Sequence, residues 1–177
     1  MAKGGCTVLA DHAAAELYWL AFLLMGHVDV SVDLTVDAVS HPGLALALSR
    51  RRVMAKALAA VRDELIASAL RTAWEACEDS PVPPDNWSLD PKTTKVDIEH
   101  ALLAIDLFPR CALLLTVFED IGLEDASALL DVDAELVRKG QIIGLLELTA
   151  NLAKTEDFQL NATNRQESHL IASYALD

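Results

Sequence analysis

Apolar residues at Leu9, Ala13, Leu17, Leu20 and Leu24 recur at helical spacing, which predicts a first helix from about Val8 to Met25, ended by Gly26. A second, short helix is expected to open at Asp29 or Ser31, whose side chains can cap free N–H groups, and to close before His41-Pro42. Pro42 suits the first turn of a third helix, which is expected to run as far as Cys77. Further along, Val96 to Leu107 reads as a helix that meets Pro109, and the helix starting there puts Cys111, Leu114, Leu115 and Phe118 on one face. Gly122 makes a turn, Leu123 to Leu130 forms a short helix, and Asp133 caps a longer one with Glu135 in its first turn. Asn164 and Glu167 have cap and N3 spacing, which predicts a separate short helix at the C-terminus.

Between these groups the pattern stops. EDSPVPPDNWSLDPKTTK, residues 78–95, holds four prolines and reads as a semi-extended linker, with Trp87 expected to pin it to one side. The chain therefore divides into a helical bundle over 6–77, the linker over 78–95, a four-helix domain containing a helix-turn-helix over 96–155, and a C-terminal tail over 156–177. The fold class is all-α. Composition agrees, since 53% of residues are hydrophobic and only 5% aromatic, with few glycines and prolines.

Charge changes the picture more than composition does. The formal net charge is −13, so the surface as a whole repels nucleic-acid phosphates and suits docking on a basic protein. The three cysteines, Cys6, Cys77 and Cys111, lack metal spacing and read as reduced thiols of a cytoplasmic protein, with Cys111 in the core. The longest apolar run, Leu17 to Met25, is shorter than the roughly 20 residues a spanning helix needs, and it lacks the basic flank of a signal peptide. No membrane partner is expected.

The candidate chemistry lies in two places. From Ala104 to Ala153 the order of helix, short helix, tight turn and longer helix is a helix-turn-helix layout, whose last helix offers Arg138, Lys139 and Gln141 to a major groove. Gln141 suits adenine. The same stretch holds three basic and nine acidic residues, which removes most of the phosphate contacts a DNA reader uses. Its apolar run, Ile142, Ile143, Leu145, Leu146 and Leu148, fits either a helix buried on two sides or a face that meets a protein partner. Arg50, Arg51 and Arg52 form the other candidate, as a solvated face or a phosphate contact. His12 and Glu16 share a helical face but no second ligand pair joins them, and no phosphate loop or nucleophile elbow occurs, so neither catalysis nor a metal or other cofactor is expected.

These residues resemble a known family. Phe108-Pro109-Arg110, Glu119-Asp120, Glu124-Asp125-Ala126, Leu129-Leu130-Asp131-Val132 and Val137-Arg138 are similar, in order, to the promoter-reading domain of bacterial sigma factors of the extracytoplasmic-function type. Glu16 to Ala21, Leu24 to His27 and Ser31 to Ala38 resemble that family's domain for holding core RNA polymerase, and the two stretches together span about two-thirds of the chain. The resemblance implies a cytoplasmic protein of transcription initiation or its regulation, docked on core RNA polymerase through Asp33, Leu34 and Asp37. It implies promoter DNA as a second partner, met weakly by Arg138, Lys139, Gln141 and Arg50 to Arg52. The segment after Val39, SHPGLALALSRRRV, has no aromatic residue on which a melted strand could stack. The alternative is a sigma-like regulator that has lost DNA binding and acts through protein contacts, with an anti-sigma-like regulator or a second copy of itself as partner.

Overall fold

Every residue of the segment Leu107–Leu113 is buried, including Pro109 and Arg110, under the first, fourth and last helices of the chain. The computed structural model describes residues 4–40, 46–78, 82 and 92–174, with side chains described for 12–40, 47–75, 82 and 92–154. The helices are α1 (Gly4–Met25), α2 (Val28–Val39), α3 (Leu46–Ala60), α4 (Arg62–Glu78), α5 (Lys95–Leu103), α6 (Leu107–Leu113), α7 (Leu123–Leu130) and α8 (Ala134–Tyr174). Among the described residues there is no strand, and none of the helices is long and apolar enough to cross a membrane. Of the expected linker only Glu78, at the end of α4, Val82 and residues 92–95 are described; Trp87 and His41-Pro42 lie outside the described residues.

Several ends fall where the local chemistry places them. Gly26 closes α1 in the left-handed region at φ 76°, its N–H donating to Phe22 O at 2.6 Å. Thr94 and Asp97 form a reciprocal capping box at the start of α5. The expected helix over Val96 to Leu107 stops at Leu103 because a helix continuing through residue 105 would press the ring of Pro109 against the Ile105 carbonyl. Asp106 instead caps α6 by accepting from Leu107 N–H at 3.0 Å, leaving Pro109 in the first turn, where its missing N–H costs nothing. The connection between α7 and α8 is three residues long: Asp131 adopts the left-handed conformation at φ 58°, and Asp133 accepts from Leu136 N–H at 2.8 Å.

Three expectations are corrected. The helix foreseen up to Cys77 is two helices, α3 and α4, that meet at Val61, although Val61 N–H still reaches Ala57 O and Leu65 N–H still reaches Val61 O. The second helix opens at Val28, before Asp29 and Ser31, and Ser31 turns inward to donate to His27 O at 2.6 Å. The separate C-terminal helix does not exist: α8 runs unbroken to Tyr174, since no Gly or Pro follows Gly144 and a cap-like Asn164 alone does not stop a helix.

The front and back helices share one buried cluster, from Leu17, Leu20 and Leu24 of α1 through Phe108, Leu113 and Leu115 to Val137 and Leu148 of α8. Helix α3 packs on α1 and α2, whereas α4 packs on α6 and α8, so the partners change across the break at Val61. Ser68 of α4 makes the polar joint. Its hydroxyl donates to Asp106 at 2.9 Å and accepts from Phe108 N–H at 2.7 Å, while Arg71 donates to both oxygens of the same carboxylate.

Burial pushes the Asp106 carboxyl up, but hydrogen bonds from Ser68, Arg71 and Leu107 outweigh it and hold the group below its ordinary value. Asp106→Ala is therefore expected to cost about 2 kcal/mol, from a lost cap and lost charge-assisted hydrogen bonds. A lowered folded pKa contributes stability that is present above the ordinary carboxylate range and lost as pH falls through the depressed value. Glu147 works with the opposite sign, pushed up by burial and by the charges of Asp106 and Glu75. Urea midpoints measured against pH should show the variant losing the acid dependence that Asp106 supplies; an unchanged profile would refute this assignment.

Candidate functional site

Helix α2 is amphipathic in an unexpected sense. It packs on α1 and α3 through small residues, Ser31, Thr35 and Ala38, all buried, with Thr35 donating to Ser31 O at 2.7 Å. Small side chains let the helices approach closely, and the larger ones are left outside. Val28, Val32, Val36 and Val39, at helical spacing, are 45–55% exposed, with Asp29 and Asp33 exposed beside them. Of the residues that the family resemblance assigned to polymerase contact, Asp33 belongs to this outer face. Leu34 is half-buried and packs against the core. Asp37 is ion-paired with Arg52 at 3.2 Å and with Lys56. No signal in the sequence identifies these valines, because Val at helical spacing reads as core and the small, partly polar stripe of Ser31, Thr35 and Ala38 reads as an outer face.

The arginine run is largely engaged within the chain. Arg50 donates to both oxygens of Glu119, at 3.0 and 2.6 Å, and lies 3.2 Å from Glu16. The hydrogen bond to Glu119 raises the Arg50 pKa, partly opposed by burial and assisted by the charges of Glu119 and Glu16. Glu119 stands at the end of a π-helical turn, Leu114–Phe118, that widens the end of α6: its N–H reaches Leu114 O at 2.9 Å, and Asp120 follows at φ 52°. The sequence reading placed Glu119 only as a motif residue and missed the pair. Arg52 is held by Asp37, and Arg51 is exposed.

On α8 the three proposed groove readers lie within one turn and differ in exposure. Arg138 is exposed but donates to Glu135 at 2.9 and 2.7 Å, and that hydrogen bond holds the Glu135 carboxyl low. Lys139 and Gln141 are half-buried, and Ile142, one turn beyond Arg138, is buried. The opposite side of the helix is tightly packed: a Cβ at Gly140 would lie 2.7 Å from the Phe108 ring, and one at Gly144 would lie 2.6 Å from the Pro109 carbonyl oxygen. Of the apolar run, Ile142 and Leu148 are buried, Ile143 and Leu145 half-buried and Leu146 exposed.

Other chemistry is sparse among the described residues. His12 Nε2 and Glu16 Oε1 do meet, at 3.1 Å, and Glu16 is also held by Arg50. No group of three or more His, Cys, Asp or Glu residues is placed to hold a metal ion. Cys111 is fully buried, which pushes its thiol up to about 12 and makes it a packing residue; the side chains of Cys6 and Cys77 lie outside the described residues. Comparison with known protein families, curated proteins and solved structures finds no match to this chain.

Proposed function

We propose that this chain is a sigma-like regulator that docks on core RNA polymerase through the outer face of α2 and acts by protein contact, without a catalytic step. The observation that carries the reading is the exposed stripe of Val28, Val32, Val36 and Val39 flanked by Asp29 and Asp33. A contiguous apolar stripe with a charged rim is the composition of a protein-binding surface, and its acids suit a basic partner face. The resemblance of Ser31 to Ala38 to the polymerase-holding helix of sigma factors supplies the identity of the partner.

Weak promoter reading through α8 is the second reading, and the ion pairs weigh against it. Arg50, Arg52 and Arg138 each face an acid of this chain, so phosphate contact would have to displace Glu119, Asp37 or Glu135. What favours it is Arg138, exposed in the second turn of α8 directly after the three-residue connection, where the helix-turn-helix layout puts a groove reader.

Sedimentation with purified core polymerase, followed by transcription from promoter fragments, tests both. The expected result is binding that a Val32→Asp/Val36→Asp pair weakens about tenfold or more, with no promoter-specific transcript. No binding to polymerase would overturn the proposed partner, and promoter-specific initiation would overturn the protein-contact reading in favour of the second.

A further inference from the structure

We propose that the outer face of α4, with the groove beside it, is a docking site for an amphipathic helix whose flanks carry Lys and Arg. Ile66, Leu70 and Trp74 stand at i, i+4 and i+8 and are 49%, 67% and 71% exposed, so they form a continuous apolar stripe along the helix. The stripe borders a groove of about 370 Å³ between α3–α4 and the α7–α8 connection, floored by Leu58, Leu65, Leu129 and Leu136. A helix laid on Ile66 and Leu70 can set one row of apolar side chains into that groove and rest a second row against Trp74, the helix-in-groove mode of recognition. None of these residues contributes to the outer face of α2.

Charge decides which helix fits. The cations bordering the stripe are already engaged, Arg62 by Asp131 at 2.6 Å and Arg71 by Asp106 at 2.8 Å. The field along it is therefore set by Asp63, Glu64 and Glu75 on α4, all exposed, on a chain whose formal net charge is −13. A second copy of this chain is a poor occupant. Laid antiparallel about Leu70, it would set Asp63 and Glu64 opposite Glu75, and each copy carries a formal net charge of −13. A partner with basic flanks meets the acids of α4 with attraction instead.

The probe is a synthetic helical peptide with Leu along one face and Lys on both flanks, beside a counterpart in which Glu replaces Lys. Fluorine NMR of the full chain labelled with 5-fluorotryptophan reports on Trp74, whose signal is identified by its loss in Trp74→Phe. The Lys-flanked peptide is expected to shift that signal saturably, to lose affinity as salt rises, and to bind Leu70→Asp about tenfold more weakly or worse. Because Asp adds a negative charge at an exposed position, that loss reports the apolar contact and not the field. Undiminished binding to Leu70→Asp, equal binding of the Glu-flanked peptide, or no binding at all would overturn the proposal. So would a Trp74 signal that moves with protein concentration alone, which marks self-association, or one shielded from a soluble paramagnetic agent in dilute protein, which marks a stripe covered by the chain itself.

Discussion

Gly144→Ala is expected to destabilise the protein by about 2 kcal/mol or more, against the gain of up to about 1 kcal/mol that the same change brings in an exposed helix. The reason is the approach of α8 to α6. An added Cβ would fall 2.6 Å from the Pro109 carbonyl oxygen, 3.1 Å from its carbonyl carbon and 3.1 Å from Leu113 Cβ. Two of these three atoms are backbone, and α6 is buried along its whole length, so relief requires moving a helix that touches α1, α4 and α8. Gly140 makes the internal comparison. Its Cβ would meet the edge of the Phe108 ring at 2.7 Å and Ala112 Cβ at 3.2 Å, and a ring can yield where a carbonyl cannot. Gly140→Ala should therefore cost less. Urea unfolding followed by far-UV circular dichroism measures both, and for a chain of this length the Gly144 variant should melt about 4–8 °C lower. A Gly144→Ala protein as stable as the parent would mean that α6 and α8 do not pack this closely.

Arg110→Ala is expected to cost about 3 kcal/mol, and Arg110→Met markedly less. The side chain is 7% exposed, with Nη1 donating to Leu103 O at 3.2 Å and Ile105 O at 3.4 Å, so the guanidinium closes the C-terminal end of α5. Burial lowers its pKa, a direction that the carboxylates of Glu64 and Asp106 only partly oppose, and its buried Nε has no hydrogen-bond acceptor. The position thus combines a useful contact with a costly one. Truncation to Ala leaves both carbonyls and a void in the core, whereas Met keeps most of the volume and removes the cost of burying the charge. Comparing the two variants by equilibrium unfolding separates the contributions. If Met is as damaging as Ala, hydrogen bonding to α5 dominates and the argument from charge burial fails.

Arg110 also shows where sequence reasoning stops. As part of Phe108-Pro109-Arg110 it could be recognised as a motif residue, yet nothing local distinguishes a buried arginine from a solvated one, because its burial depends on the packing of α1, α4 and α8 around α6. The same holds for Arg50, whose partners Glu16 and Glu119 lie on α1 and beyond α6. The run Arg50 to Arg52 reads as a free basic patch until those acids are brought beside it. Helix α2 is the converse case. Its valines have the spacing of a core stripe, and only the packing of Ser31, Thr35 and Ala38 against α1 and α3 turns them outward.

The sequence by itself determined the all-helical character, the start and end of α7, the end of α1 at Gly26, the Asp133 cap of α8 and the acidic field of the surface. Each depends on a residue's own backbone preference, on a side chain within one turn, or on a sum over the composition. Only the tertiary structure decided that helices on both sides of residues 78–95 share one core, that α3 and α4 part at Val61 and serve two sets of partners, that the valines of α2 and the Ile66–Leu70–Trp74 stripe of α4 face outward, and that Arg50, Arg52 and Arg138 are paired with acids of the chain. Burial and ion pairing are set by which distant element arrives at a given face, and periodicity along one helix carries no record of its neighbours.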